Sequence, residues 1–299
     1  MKVETKMRIL NLGFKIFPKT TLKMCFKRNF GYELDLKKPK TYSEKLQWLK
    51  FYYATNEEAI LAGDKAGLHD YLSKKQLEHL LVPLVGVYNN VAEINWNLLP
   101  EQFVMKKSNS SGMNIIVVDK SKSDEDKIKN KMNNWMKTTY GEFGAELHYS
   151  KMDSKIVIEK YIEGIGEDWR IIFLNGIPKM IHVSQWVGDE SDNYSGHRDS
   201  VRIYADIDGK IRHLATSLDS EKSELEEGEY IDLPVNFLEM VEYGKKIATD
   251  FPLVRVDYFH ANGELYIGEL TFTPGGGFTP LNEELQKELG NQLILPKEK

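Results

Sequence analysis

Cysteine is almost absent: Cys25 is the only one in 299 residues. No intrachain disulfide can form, and a zinc site built on four thiolates is excluded. A reducing cytoplasm is the expected compartment. Long apolar runs are missing too, and nothing approaches the roughly 18–20 residues that a membrane span needs. After Met1 the sequence is mixed and polar, without the apolar core and small-residue cleavage site of a secretory signal. There is no G-x-x-x-x-G-K-[ST] phosphate loop and no G-x-G-x-x-G dinucleotide fingerprint. There is no serine nucleophile elbow, no internal repeat and no long low-complexity tract.

What is present is an ordinary globular composition, 41% hydrophobic and 28% charged. The length allows roughly two domains. The net charge of −5 hides an asymmetry: residues 1–50 hold 13 Lys+Arg against 4 Asp+Glu, which is +9 and leaves −14 for the rest. A basic segment on an acidic body predicts an anionic partner. Such a body is a poor general nucleic-acid binder, so the expectation is no nucleic acid. The anionic face of a membrane fits better, as a peripheral contact at the cytoplasmic side. A solvated helical face explains the same charges.

Met7, Leu10, Phe14 and Phe17 recur at helical spacing, and Pro18 should end that helix. A second short helix is expected around Leu22, Cys25 and Phe26. Thr41 or Ser43 can cap a helix over 44–53, and Asp64 the next, from Lys65 to about Lys75. Strands are expected over 80–88, 103–106, 114–118, 156–161 and 169–173, helices over 127–140 and 238–249, and a hairpin over 253–272. Helices and strands mix without strict alternation, which predicts α+β.

The hairpin carries the most chemistry. Asn262-Gly263 marks its turn. A three-residue loop, Ala261–Gly263, would pair Asp257 with Ile267 and Arg255 with Glu269. That register collects Arg255, Asp257, Glu269 and Thr271 on one face. Two carboxylates on adjacent strands repel unless a cation joins them, and hard oxygens on a rigid sheet suit Mg²⁺. A cross-strand Arg255–Glu269 pair on an exposed face explains the same residues without a metal. The following Pro274–Gly277 run lets backbone approach a ligand closely. Lys106 ends a strand before the small-residue loop Ser108–Met113, a point charge beside backbone amides that suits phosphate. Lys65 at a helix start would add to it. Strand-edge atoms after Glu159 can meet a purine, and Glu163 or Glu167 ribose hydroxyls.

The order of these pieces resembles the ATP-grasp superfamily, and more specifically the TupA-like ATP-grasp family of bacterial surface-polysaccharide gene clusters. The resembling segments are Pro39–Trp48, Asp64-Lys65, Leu81–Val87, Phe103–Asn114, Glu146–Tyr149, Gly196-His-Arg198 and Phe251–Phe278. The resemblance implies an ATP-grasp fold, two α+β subdomains gripping ATP, after a short helical N-terminal region. The implied divisions are 1–95 (helical, with the first phosphate lysine), 96–160 (small subdomain with a mobile loop) and 161–299 (large subdomain with the metal site). Lys65, Lys106, Ser111 and Gly112 would hold phosphates. Glu159, Lys160 and Tyr161 would lie along the adenine, and Glu167 would take the ribose. Asp257, Glu269 and, less aptly, Thr271 would bind Mg²⁺. Arg255 and Arg170 would be catalytic, and His148, His197, Arg198, Gly275 and Gly276 would face substrates. The implied reaction joins a carboxylate and an amine through an acyl phosphate, the acid being a uronic acid of a glycan and the amine an amino acid. A kinase acting on a sugar or lipid hydroxyl, an inactive nucleotide-binding module and, from Asp206–Asp208, a glycosyltransferase are the alternatives.

Overall fold

Residues 3–186, 200–214 and 225–297 are described by the structure, a computed structural model. Five helices lead: α1 (Val3–Ile16), α2 (Pro18–Phe30), α3 (Tyr42–Tyr53), α4 (Glu57–Gly63) and α5 (Gly67–Lys74). Pro18 begins α2 at a position where its missing N–H costs nothing. The start of α3 is locked reciprocally. The Thr41 hydroxyl accepts from the Glu44 amide at 3.2 Å, and the Glu44 carboxylate accepts from the Thr41 amide at 3.0 Å. The helix expected from Lys65 starts two residues later. Asp64 closes α4, and its Oδ2 accepts the Gly67 amide at 3.0 Å, so Lys65 sits in the turn between two helices.

Strands β1 (Leu84–Tyr88), β2 (Phe103–Lys107), β3 (Asn114–Val117) and β4 (Ile156–Lys160) form one antiparallel sheet in the order β1-β4-β2-β3. Helix α6 (Glu125–Met136) covers one face, burying Ile128 and Met132 against Phe103, Met105, Ile115, Ile156 and Ile158. Strand β1 lies before residue 95 in sequence, yet it is an edge strand of this sheet.

The second sheet runs β7-β6-β5-β8-β9, with β5 (Asp168–Leu174), β6 (Ile177–Trp186), β7 (Ser200–Ala205), β8 (Leu253–Ala261) and β9 (Glu264–Thr271). Helices α7 (Phe237–Ala248) and α8 (Glu283–Gln292) complete this half. Alternation along β8 buries Val254, Val256 and Tyr258 on one face, where the Tyr258 hydroxyl donates to the Met240 carbonyl at 2.7 Å. Leu49 and Tyr53 of α3 and Tyr71 and Leu72 of α5 share this core with Phe173 and Phe272. Truncating Phe173 to Ala would cost roughly 3–5 kcal/mol. With that face sealed, the charged residues of β5, β8 and β9 are left to the other.

The β8–β9 register differs from expectation. Its loop has two residues, Asn262 (φ 54°) and Gly263 (φ 81°), and Ala261 pairs with Glu264. A bulge at Gly268 then shifts the pairing by one, so Asp257 stands opposite Glu269 and Arg255 opposite Thr271. The turn and the bulge offset each other, and both carboxylates reach one cavity.

Candidate active site

A cavity of about 450 Å³ lies between the two sheets. Its small-sheet wall carries Val104 and Lys106 of β2, Asn114 and Ile116 of β3, and Glu159 of β4. Its large-sheet wall carries Asp168, Arg170, Asp257, Gly268 and Glu269. Lys65 enters from the α4–α5 turn, and Lys160 through Ile162 lie where β4 leaves its sheet.

Four of the site's cations, Lys106, Lys65, Arg255 and Arg170, are already held by the protein. Lys106 Nζ is 2.5 Å from Glu159 Oε2. Lys65 Nζ donates to the Ser110 carbonyl at 2.6 Å and is 3.8 Å from Glu269 Oε2. Arg255 grips Asp257 through two bonds of 2.6 Å and donates to the Thr271 hydroxyl at 3.0 Å. The fork matches the carboxylate in plane, and Asp257 beside it raises the Arg255 pKa against the effect of burial. Arg170 donates to Ser184 at 2.7 Å and Asp168 at 3.0 Å. Its Nε is buried 3.4 Å from Asp257 Oδ2, close enough for charge attraction but without hydrogen-bond geometry. Burial pushes the Asp168 carboxyl up to about 6, with Arg170 opposing the shift.

The loop after β2 is less free than its small residues imply. Ser108, Asn109 and Ser110 are buried, with Ser108 accepting from the Lys65 amide at 3.2 Å and Asn109 donating to the Tyr149 and Met152 carbonyls at 3.3 Å. Only Ser111 and Gly112 are exposed in this loop. The part of the expected mobile loop that is free of burial is thus its tip. Gly112 (φ 71°) lines the cavity, whereas Ser111 lines a second one.

That second cavity, about 300 Å³, shares Arg170 with the first. Arg202, Arg255, His182, Tyr204 and Gly275 line it. His182 stacks on Tyr204 at 4.4 Å, and burial beside these arginines pushes its imidazole pKa far down, so it is neutral. Gly275 (φ 58°) and Gly276 (φ 59°) hold a left-handed turn that an L side chain would strain. Glu146 accepts from the Thr273 hydroxyl at the start of this turn.

Several expected positions fall elsewhere. His148 is fully buried among Tyr53, Tyr149 and Phe272, with burial pushing its pKa down to about 3, so it faces no substrate. The Thr271 hydroxyl is taken up by a guanidinium, a poor setting for a metal ligand. Glu167 does not line the cavity; its neighbour Asp168 does. The Lys160 amide donates to the Pro83 carbonyl at 3.0 Å. His197 and Arg198 lie outside the described residues. Asp168 was overlooked in sequence, although its i, i+2 spacing with Arg170 on a strand puts both on one face. Among the described residues no three His, Cys, Asp or Glu side chains converge as a metal site. The donor set is therefore a pair, Asp257 and Glu269. An ionised carboxylate offers about four lone-pair sites, of which Arg255 occupies two on Asp257. Such a pair suits Mg²⁺, which fills its remaining positions with phosphate and water.

The family profile described as TupA-like ATPgrasp matches residues 44–294. Among solved structures, L-amino acid ligase from Bacillus licheniformis aligns with a TM-score of 0.50 at 12% identity, over 98% of this chain and 62% of that one. D-alanine–D-alanine ligase from Bacillus anthracis gives 0.47 at 19% identity, over 79% of this chain and 65% of that one. The chain thus spans less than two thirds of either ligase. No curated protein matches it.

Proposed function

The chain belongs to the TupA-like ATP-grasp family, and from that premise we propose that it is an ATP- and Mg²⁺-dependent carboxylate–amine ligase. Its fold is the α+β ATP-grasp fold behind a helical N-terminal region. The observation that carries the proposal is the convergence of Asp257, Glu269, Lys65 and Lys106 on one cavity between the two sheets.

In this reading the adenine lies between Val104 and Ile116 and the chain at Lys160–Ile162. Lys106 and Lys65 leave their present partners for the phosphates. Asp257 and Glu269 would hold Mg²⁺, which supplies neutralisation of phosphate charge when bound. Arg170 lines both cavities, and Arg255 lines the second while bonded to Asp257 of the first, so the second cavity is the place for the acid. There the acid's oxygen attacks the γ-phosphorus and ADP leaves. Arg255 then steadies the oxyanion formed as the amine attacks the acyl phosphate, and phosphate departs with formation of the amide.

An arginine-lined cavity of about 300 Å³ beside stacked His182 and Tyr204 supports a sugar-sized acid. A uronic acid of a bacterial capsular or cell-wall polysaccharide, joined to an amino acid, is the substrate pair we propose. A panel of uronic acids crossed with amino acids, read by ADP release, tests it. The expected result is release only with both partners and Mg²⁺. ADP release with an acid-free sugar alone, leaving a stable phosphorylated product, would replace the ligase with a kinase.

A further inference from the structure

We infer that the α1–α2 hairpin is a docking surface for an anionic membrane, on which the protein lies without spanning it. Neither the family match nor the proposed reaction assigns a role to this hairpin, since the match begins at residue 44.

The hairpin has two apolar sides. Phe14, Leu22 and Phe26 are buried against Ala145 and Phe278, and they hold it to the body. The other side is unpartnered. Ile9, Leu12 and Ile16 follow i, i+3, i+7 spacing, and with Phe17 and Met24 they are between 55% and 64% exposed. Five large apolar side chains left in water within sixteen positions need a covering partner more than isolated exposed residues do. Around them Lys15, Lys19, Lys23, Lys27 and Arg28 are exposed. Lys27 shares its charge with Glu33 at 2.5 Å. Over residues 1–30 the sequence sets eight Lys+Arg against one acidic residue, Glu4.

The charge selects the occupant. A second copy of this surface would bring like charges together around the apolar contact. Nucleic acid would meet the lysines but leave the isoleucines and leucine wet. An anionic bilayer satisfies both sets: aliphatic side chains enter the headgroup boundary, and lysines meet the phosphates. No helix among the described residues is long and apolar enough to cross a membrane. The surface is also joined firmly to the candidate site. Phe30 stacks on Phe278 at 6.4 Å, and Asn29 donates to the Phe278 carbonyl at 3.1 Å, one residue beyond the glycine turn. Docking would therefore fix the direction in which the second cavity opens relative to the bilayer.

Co-sedimentation of the full chain with phosphatidylcholine vesicles, with and without phosphatidylglycerol, tests this. Binding is expected only with phosphatidylglycerol, and weaker at high salt. Lys19→Glu with Lys23→Glu should weaken it by roughly fivefold or more per position. Leu12→Ser with Ile16→Ser should weaken it at least about tenfold. Both pairs alter exposed side chains, so the circular dichroism spectrum and Tm should hold. If the apolar pair perturbs folding, the lysine pair carries the test. No binding at low salt, binding to neutral vesicles alone, or unchanged binding by the folded variants would overturn the inference. So would a dimer that Leu12→Ser with Ile16→Ser converts to monomer while vesicles are ignored. None of these readings needs ATP, so they stand apart from the ligase proposal.

Discussion

The two sheets facing the main cavity share antiparallel pairing but present opposite chemistry. The small-sheet wall offers Val104 and Ile116 and a single ion pair, Lys106–Glu159. The large-sheet wall offers Asp168, Arg170, Asp257 and Glu269, interlocked with Arg255 just behind. The difference follows from burial. Strand β8 seals Val254, Val256 and Tyr258 under α7, so its other side is free to concentrate charge. In the proposed reading a nucleotide is divided in a similar way, with its base on the apolar wall and its phosphates between Lys106 and the charged one.

Breaking the charged wall should have the largest effect. Glu269→Gln or Asp257→Asn is expected to lower Mg²⁺-dependent ADP release at least about 10²-fold, with circular dichroism unchanged. Normal turnover in either variant would remove the pair from the site. Removing the ion-paired cation of the other wall should do less. Lys106→Ala is expected to raise the KM for ATP roughly tenfold or more, by loss of a charge-assisted phosphate contact of about 1.5–3 kcal/mol. An unchanged KM would detach Lys106 from the nucleotide.

A pH experiment probes the charged wall alone. The Asp168 carboxyl sits at about 6 instead of its usual 3.8, because burial disfavours its charge. Between those values the folded chain holds a proton that the unfolded chain has released. The group's contribution to stability therefore grows as pH falls from 7 through 6 towards 4. The gain is about 2 kcal/mol. Asp168→Asn should narrow the gap between urea-unfolding free energies at pH 7 and pH 5, and an unchanged gap would contradict the shift. Thinning the apolar wall should matter least. Ile116→Ala should raise the KM for ATP about threefold to tenfold, by loss of apolar contact, without altering the response to Mg²⁺.

Much of this was readable from residues alone. Alternation placed Val254, Val256 and Tyr258 opposite Arg255 and Asp257, and Asn262-Gly263 located the turn. The register was not readable, because a bulge leaves no mark in periodicity beyond a lone glycine, Gly268, within the strand. His148 belongs to a segment resembling the family, but sequence cannot tell a buried imidazole from a ligand-facing one. The loop from Ser108 reads as flexible because its residues are small; its anchors at Lys65, Tyr149 and Met152 are distant in sequence. The second cavity was invisible for a similar reason, since His182, Arg202 and Arg255 come from three strands brought together only by the sheet order.

Calorimetric titration with a non-hydrolysable ATP analogue, with and without Mg²⁺, tests the central claim most directly. The account predicts that Mg²⁺ strengthens binding to the wild type, and that Glu269→Gln loses that enhancement while keeping its metal-free affinity. Equal enhancement in wild type and variant would contradict it.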